Sequence, residues 1–182
     1  VMQAVIEAHA SFEADLRAAL DMRQLRLYYQ IQVDGSQRPQ GAEVLLRWEH
    51  PLRGLISPDE FIPLAEETGL ILPMGQWVLD TACAQLKTWK NDPEMRNLQL
   101  AVNISAKQFQ QHDFVEQVIS TVEKNGISPM FLKLELTESM LLNNIEDTIR
   151  KMHMLKDYGV RFSLDDFGTG YSSLAYLQQL PV

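Results

Sequence analysis

The sequence predicts an α/β fold in which strands and helices alternate along a single domain. Short apolar runs recur along the chain, and between them lie segments of roughly 10–15 residues whose apolar positions repeat with helical spacing. The chain has 182 residues, 46% of them apolar, which suffices for one domain with a sizeable core. Parallel strands joined by right-handed helical crossovers form either a doubly wound sheet or a barrel, and the pattern alone leaves both open.

The first part of the chain is predicted to be a helix followed by an antiparallel hairpin. Leu16 and Leu20 share one helical face, and a strand-like run then covers residues 26–33. The polar segment 34–40, which contains Gly and Pro, separates this run from a second one at 42–48. This pattern is typical of two antiparallel strands joined by a longer loop.

Capping signals and periodicity predict the remaining elements. Ser57, followed by Pro58 and Glu60, predicts a helix start with a capping box. Gly69 is predicted to end this helix. The later elements are a helix at 75–90, a strand at 98–105, a helix at 114–124, a strand at 132–137, a helix at 145–158, a strand at 160–165 and a helix at 171–180. About five strands are therefore predicted, whereas a closed barrel has about eight strands and roughly 250 residues.

Charge and hydropathy exclude some classes of function. The formal net charge of −8 argues against a protein held on polymeric nucleic acid by a basic face, because phosphate contacts need clustered Lys and Arg. It leaves room for a small phosphorylated ligand. The sequence has no uninterrupted apolar stretch of roughly 18 residues and no signal peptide, so this part of the protein is expected to be soluble.

The sequence also predicts the environments of a few single residues. Cys83 is the only cysteine, which excludes a disulfide framework and predicts a buried, unreactive thiol in a reducing, cytoplasmic setting. His50 is predicted to mark an exposed loop. Lys151 and Lys156 are predicted to lie on a solvated helix face.

Four of the apolar strands carry an acid or an amide where a core residue would be expected. These residues are Glu43, Asn103, Glu135 and the adjacent pair Asp165 and Asp166. A buried carboxylate without a partner is costly, so acids on apolar strands normally have counter-charges or perform chemistry. In a parallel barrel the strand C-termini share one rim, where polar residues usually belong to the active site. About four negative charges in one pocket require raised pKa values or bound cations, and cations are the simpler explanation.

The candidate ligands offer only oxygen atoms, so hard ions such as magnesium, manganese or calcium are favoured over zinc. Two such ions about 4 Å apart can activate a water molecule and stabilise the leaving oxygen of a phosphodiester. Three interpretations remain open from the residues. They are metal-dependent phosphoryl or carbonyl chemistry, salt bridges with Arg47, Lys133 and Arg161 at a sheet edge, and a glycosidase that uses two carboxylates as acid and base.

Two further features are consistent with a phosphorylated ligand. Arg47 lies four residues after Glu43 on the same strand, so alternation puts both side chains on one face. Arg47 is then either a phosphate clamp or the neutralising partner of Glu43. The segment 166–173 places glycines and hydroxyls directly after a strand, as in a mobile lid or an anion-binding loop.

Five motifs in register resemble those of a known family. They are GAEVLLRWEHP at 41–51, SPDEFIPLAEETGLI at 57–71, LAVNIS at 100–105, LELTES at 134–139 and DDFGTGYSSL at 165–174. In this order and spacing they strongly resemble the EAL-domain family of cyclic-di-GMP phosphodiesterases. Residues 1–24 look like the linker helix that often follows an upstream GGDEF domain. Residues 25–182 then resemble an EAL domain that is incomplete at its C-terminus.

The resemblance implies a modified TIM (β/α)8 barrel with an antiparallel first strand, of which this chain holds about the first five strands. It also implies hydrolysis of cyclic-di-GMP to linear pGpG, with Mg²⁺ or Mn²⁺ in a two-metal site. A receptor that binds cyclic-di-GMP without cleaving it is the alternative. The parent protein is expected to be a cytoplasmic homodimer, or the cytoplasmic portion of a membrane-bound protein, with an upstream GGDEF or sensory domain.

The resemblance also assigns metal ligands and catalytic residues. Glu43, Asn103, Glu135 and Asp165 match the ligands of the first metal, and Asp165 with Asp166 matches the second-metal site. Together with Glu138, which matches the glutamate that anchors a lid loop, the catalytic set is Glu43, Asp165, Asp166 and Glu138. The lid loop comprises Phe167, Gly168, Thr169, Gly170, Tyr171, Ser172 and Ser173.

Gln30 and Arg47 resemble the substrate-binding glutamine and the phosphate-binding arginine of the family. Two residues depart from the usual motifs: Val44 replaces an alanine, and Ile31 replaces a proline next to Gln30. A lysine, a glutamate and a glutamine that complete the family's site would lie beyond Val182. The isolated 182-residue chain is therefore expected to be inactive and prone to aggregation through unpaired strand edges.

Overall fold

The structure is a computed structural model that describes residues 2–137, 140, 144–165 and 180–181. Helix α1 (Met2–Asp21) leads into strands β1 (Leu25–Val33), β2 (Pro39–His50) and β3 (Gly54–Ile56). Helices α2 (Pro58–Thr68) and α3 (Ile71–Trp89) precede β4 (Gln99–Asn103), which is followed by α4 (Ala106–Gln110) and α5 (Phe114–Asn125). A 3-10 turn at Pro129–Phe131 introduces β5 (Leu132–Thr137), and α6 (Ile145–Tyr158) and β6 (Arg161–Asp165) follow.

The described strands form one mixed sheet in the order β1-β2-β4-β5-β6, with the short β3 paired to β2. Strands β1 and β2 are antiparallel, with Gln30 opposite Glu43. The pairs β2-β4, β4-β5 and β5-β6 are all parallel. The predicted α/β class, the initial hairpin and the parallel order of the later strands are thus confirmed.

Alternation along the strands separates an apolar face from a polar one. Leu100 and Val102 of β4, with Leu132 and Leu134 of β5, are buried in one cluster that includes residues of α3, α5 and α6. Each fully buried leucine contributes about 1.5–3 kcal/mol, and a one-residue slip would expose the whole set, so this face fixes the strand register. The opposite face, called the inner face below, carries Glu43, Asn103, Lys133, Glu135, Ser163 and Asp165.

A second apolar cluster joins α1 and α2 to the end of β2. Trp48 is fully buried there, with its ring centroid 5.8 Å from that of Phe61 and its Nε1 donating to Gln24 Oε1 at 3.0 Å. Leu16 and Ala19 of α1 belong to the same cluster. Helix α1 is therefore packed on the strand that carries Glu43.

The capping predicted at the helix ends agrees with the structure at some positions and differs at others. Ser57 is the N-cap residue of α2, but its side chain makes no capping hydrogen bond, so the predicted capping box is wrong. The amide of Glu60 donates instead to the backbone carbonyl of Ser57 at 3.0 Å. A capping box is present instead at Ser105 and Gln108, at the start of the short helix α4. This helix was not predicted, because five residues are too few to show helical periodicity. Gly69 ends α2 in the left-handed conformation, as predicted.

His50 is buried, with 8% of its surface exposed, so the prediction of an exposed histidine is wrong. Its Nδ1 accepts hydrogen bonds from the amides of Leu52 and Arg53, both at 3.1 Å. The turn before β3 therefore folds around the ring.

Within the described part of the chain, no helix combines the length and the apolar character needed to cross a bilayer.

Candidate active site

The strand register brings four of the predicted site residues to one edge of the inner face. Asn103 is the register partner of Glu135, and Glu135 is the partner of Ser163. The side-chain amide of Asn103 donates to Glu43 Oε1 at 2.9 Å, which joins β4 to β2. Asp165 lies at the end of β6. Because parallel strands end on the same side of a sheet, Asn103 and Asp165 lie at one edge, which we call the rim. Glu135 lies there as the register partner of Asn103, and Glu43 is joined to the rim by its hydrogen bond from Asn103.

Glu135 has the most enclosed carboxylate on the rim among the described residues, with 9% of its surface exposed. Ser163 Oγ donates to Glu135 Oε1 at 2.9 Å, and Lys133 Nζ lies 3.2 Å from the same oxygen. Lys133 Nζ also donates to Gln32 Oε1 on β1 at 3.3 Å. The predicted pairing of strand acids with basic residues is therefore present at Lys133 and Glu135.

Arg47 is held at the rim by contacts other than an acid. Its Nη1 donates to the carbonyl of Leu46 at 2.8 Å, and its guanidinium lies 5.9 Å from the centroid of the Tyr28 ring. Among the ion pairs of the described residues, none joins Arg47 to Glu43. The structure therefore gives no support to the interpretation in which Arg47 neutralises the charge of Glu43.

A cleft of about 490 Å³ opens beside the rim. Arg47 and Asn103 contribute polar groups to its wall, and α2, α3 and α4 provide most of the remainder. A β-carbon at Gly75 would overlap the side-chain amide of Gln108, so glycine at this position leaves room for the amide where it now lies. Gln108 in turn closes the capping box with Ser105, directly after the strand that ends at Asn103.

The donor set on the rim suits a hard divalent cation in its chemistry, since every candidate ligand offers oxygen. Asn103 and Glu43 are already in contact, which shows that donors from two strands converge. Within the residues described, however, no group of three or more His, Cys, Asp and Glu side chains could hold a metal ion. The predicted Asp166 and Glu138 and the lid loop 167–173 lie outside the described residues.

Gln32, Ser163 and Tyr28 were not predicted to belong to the site, and Lys133 was predicted only as a possible salt-bridge partner of its acids. Each lies two residues from a predicted site residue on the same strand, so period-two alternation could have placed it on the same face. The contact from Lys133 to Gln32 could not be found in this way, because it joins β5 to β1 across two intervening strands.

The fold and the rim define an α/β protein whose polar residues meet at the ends of parallel strands. The family model described as "EAL domain" matches residues 13–182, and the chain belongs to the EAL-domain family. The resemblance predicted from the five motifs is therefore confirmed.

The relatives include two proteins of Pseudomonas aeruginosa. The bifunctional diguanylate cyclase/cyclic di-GMP phosphodiesterase MucR is 47% identical over 168 residues, which cover 92% of this chain and 24% of that protein. The cyclic di-GMP phosphodiesterase NbdA is 43% identical over 173 residues, which cover 93% of this chain and 22% of that protein. The chain thus spans about a quarter of the length of these curated relatives.

Solved structures give the same fold. The MucR phosphodiesterase in a c-di-GMP complex superposes with a TM-score of 0.89 at 45% identity, covering 93% of this chain and 68% of that one. The EAL enzyme Bd1971, in a form bound to cAMP and cyclic-di-GMP, gives a TM-score of 0.88 at 31% identity, covering 98% of this chain and 49% of that one. The described strands are therefore part of a TIM-barrel-like fold, as predicted.

Proposed function

We propose that the protein containing this chain is a metal-dependent phosphodiesterase that hydrolyses cyclic-di-GMP to linear pGpG. The observation that carries the proposal is the row of oxygen donors on the rim, with Asn103 and Glu43 in direct contact beside the cleft. Family membership supports it, since relatives of this chain are named cyclic di-GMP phosphodiesterases.

In this proposal Glu43, Asn103, Glu135 and Asp165 hold a first Mg²⁺ or Mn²⁺, and Asp165 with Asp166 holds a second. Two bound cations supply Lewis acidity, which activates water and stabilises the leaving oxygen of the phosphodiester. Carboxylate and amide oxygens are the ligands that such ions prefer.

The substrate is bound by groups on the same face. Arg47 lines the cleft, and its planar guanidinium suits two oxygens of one phosphate. Gln30 is the register partner of Glu43 and is exposed on the inner face, where it would contact the dinucleotide. Glu138 would anchor the lid loop 167–173 over the bound ligand.

The organisation of the parent protein is part of the proposal. Residues 1–24 would form a linker from an upstream GGDEF or sensory domain, and residues 25–182 would be the first part of the catalytic domain. We expect a homodimer acting in the cytoplasm, free or as the cytoplasmic portion of a membrane protein, with no polymeric nucleic acid as partner.

The test is pGpG formation from cyclic-di-GMP, measured with Mg²⁺ and with EDTA. It uses the 182-residue chain and a version extended to the domain length of its solved relatives. We expect activity in the extended version, complete loss in EDTA and no activity in the shorter chain. Binding of cyclic-di-GMP without pGpG in the extended version would instead indicate a receptor, and activity that persists in EDTA would exclude the two-metal mechanism.

Glu43→Gln in the extended version tests the rim directly. Removing the charge of a metal ligand should lower pGpG formation by at least about a hundredfold, because the ions lose affinity or position. Glu49→Gln is the matched control, since Glu49 is exposed on the same strand and pairs with Arg26 at 3.1 Å. Equal activity in the two variants would contradict the role given to Glu43.

A further inference from the structure

Below the rim, the inner face carries a basic residue that the proposed mechanism does not use. Lys133 is two residues before Glu135 on β5, and 20% of its side chain is exposed. Its Nζ lies 3.2 Å from Glu135 Oε1 and 3.3 Å from Gln32 Oε1. The ammonium is therefore held in the interior between β5 and β1 by two acceptors.

Glu135 needs such a partner when no metal is bound. A carboxylate with 9% exposure has lost most of its hydration, and the hydroxyl of Ser163 supplies a hydrogen bond but no charge. Lys133 supplies the opposite charge at 3.2 Å, and partial burial leaves this ion pair less screened by water than a pair on the surface.

We propose that Lys133 is a resident counter-cation for Glu135. In the metal-free protein the ammonium pairs with this carboxylate at 3.2 Å, and a divalent ion must bind the same carboxylate against the repulsion of the ammonium. Lys133 is thus a positioning residue that limits metal affinity. This inference rests on the proposed function, because it assumes that Glu135 is a metal ligand.

Charge and hydrogen bonding at Glu135 Oε1 can be separated with matched variants. Lys133→Gln removes the positive charge and keeps an amide donor, whereas Lys133→Arg keeps the charge. Ser163→Ala removes the other donor to the same oxygen without changing any charge. If Lys133 acts through its charge, only Lys133→Gln should bind a divalent ion more tightly.

The measurement is the dissociation constant of Mn²⁺, determined by isothermal titration calorimetry on the full-length protein. By Coulomb's law, one nearby unit charge changes the affinity for a divalent ion by about tenfold or more. We therefore expect Lys133→Gln to bind Mn²⁺ at least about tenfold more tightly than the wild type. Lys133→Arg should bind like the wild type. Ser163→Ala should bind about tenfold more weakly, since groups that orient a metal ligand typically affect affinity to this extent.

Thermal unfolding in EDTA is the second readout. Lys133→Gln should unfold at a lower temperature than the wild type without metal, and added Mn²⁺ should reduce the difference. A purely structural role would lower stability without tightening Mn²⁺ binding, and that result would overturn the inference. If the wild type binds Mn²⁺ and forms pGpG but Lys133→Gln binds Mn²⁺ with unchanged affinity, the inference is overturned and the proposed function is not. A wild type that binds no Mn²⁺ would overturn the proposed function as well.

Discussion

Cys83 lies in the middle of α3 with no exposed surface, as the sequence predicts. Burial, with a smaller contribution from the charge of Asp80, raises the pKa of its thiol from 9.0 to about 12. The thiolate is the nucleophilic form of cysteine, so the folded protein holds Cys83 in its unreactive form over the whole physiological range.

Labelling with iodoacetamide tests this environment. At about pH 8 the folded chain should react far more slowly than the chain unfolded in guanidinium, because the unfolded thiol is accessible and more often ionised. The pKa is higher in the folded state, so unfolding releases a proton between pH 9.0 and about 12, and stability should fall as the pH rises through that range. Rapid labelling of the folded chain would show that the thiol is not buried.

Residue positions on the rim could be predicted, but their contacts could not. Glu43, Asn103 and Glu135 were identified because acids and amides interrupt apolar alternation. The hydrogen bond from Asn103 to Glu43 depends on the parallel register of β2 and β4, which are separated by two helices in the chain. Alternation within one strand contains no information about its register with another strand.

At the level of elements, α4 is tied to α6 by one buried lysine. Lys151 is 2% exposed, and its Nζ donates to the carbonyls of Phe109 and Gln111, each at 2.8 Å. Asp147 lies 3.1 Å from the same nitrogen. The prediction that Lys151 faces solvent is therefore wrong. Its spacing from Asp147 resembles a surface ion pair, and only the packing of the distant α4 buries it.

Lys151→Met tests this connection. The change leaves two carbonyls at the end of α4 without their donor, so we expect it to destabilise the protein by about 2–3 kcal/mol. Lys156→Met on the same helix is the matched control, because Lys156 is exposed and should change stability by less than about 0.5 kcal/mol. Urea denaturation followed by circular dichroism measures both. Equal stability of the two variants would show that Lys151 does not hold α4.

Strand β1 lies at one end of the described sheet, and it exposes apolar side chains. Ile31 is 56% exposed and Val33 is 55% exposed. An edge strand with exposed apolar residues is a template for pairing with another chain. At the scale of the whole molecule, self-association of the 182-residue chain is therefore expected to begin at β1.

Ile31→Lys tests this edge in the 182-residue chain. A charge on an edge strand opposes pairing, so light scattering should show less concentration-dependent association than in the wild type. Leu52→Lys is the control, since Leu52 is 91% exposed but lies in the turn between β2 and β3. If both changes reduce association equally, exposed apolar surface in general is responsible and not the strand edge.

The strand order of the described sheet has a consequence for synthesis of the chain. Each strand from β2 onward pairs with a strand that precedes it, in the sequence β1, β2, β4, β5, β6. The first pairing is a local hairpin of low contact order, and domains begin to fold from the N-terminus while translation proceeds at about 5–20 residues per second. The sheet can therefore grow one strand at a time as it leaves the ribosome, with Glu43 in place before Asn103, and Asn103 before Glu135.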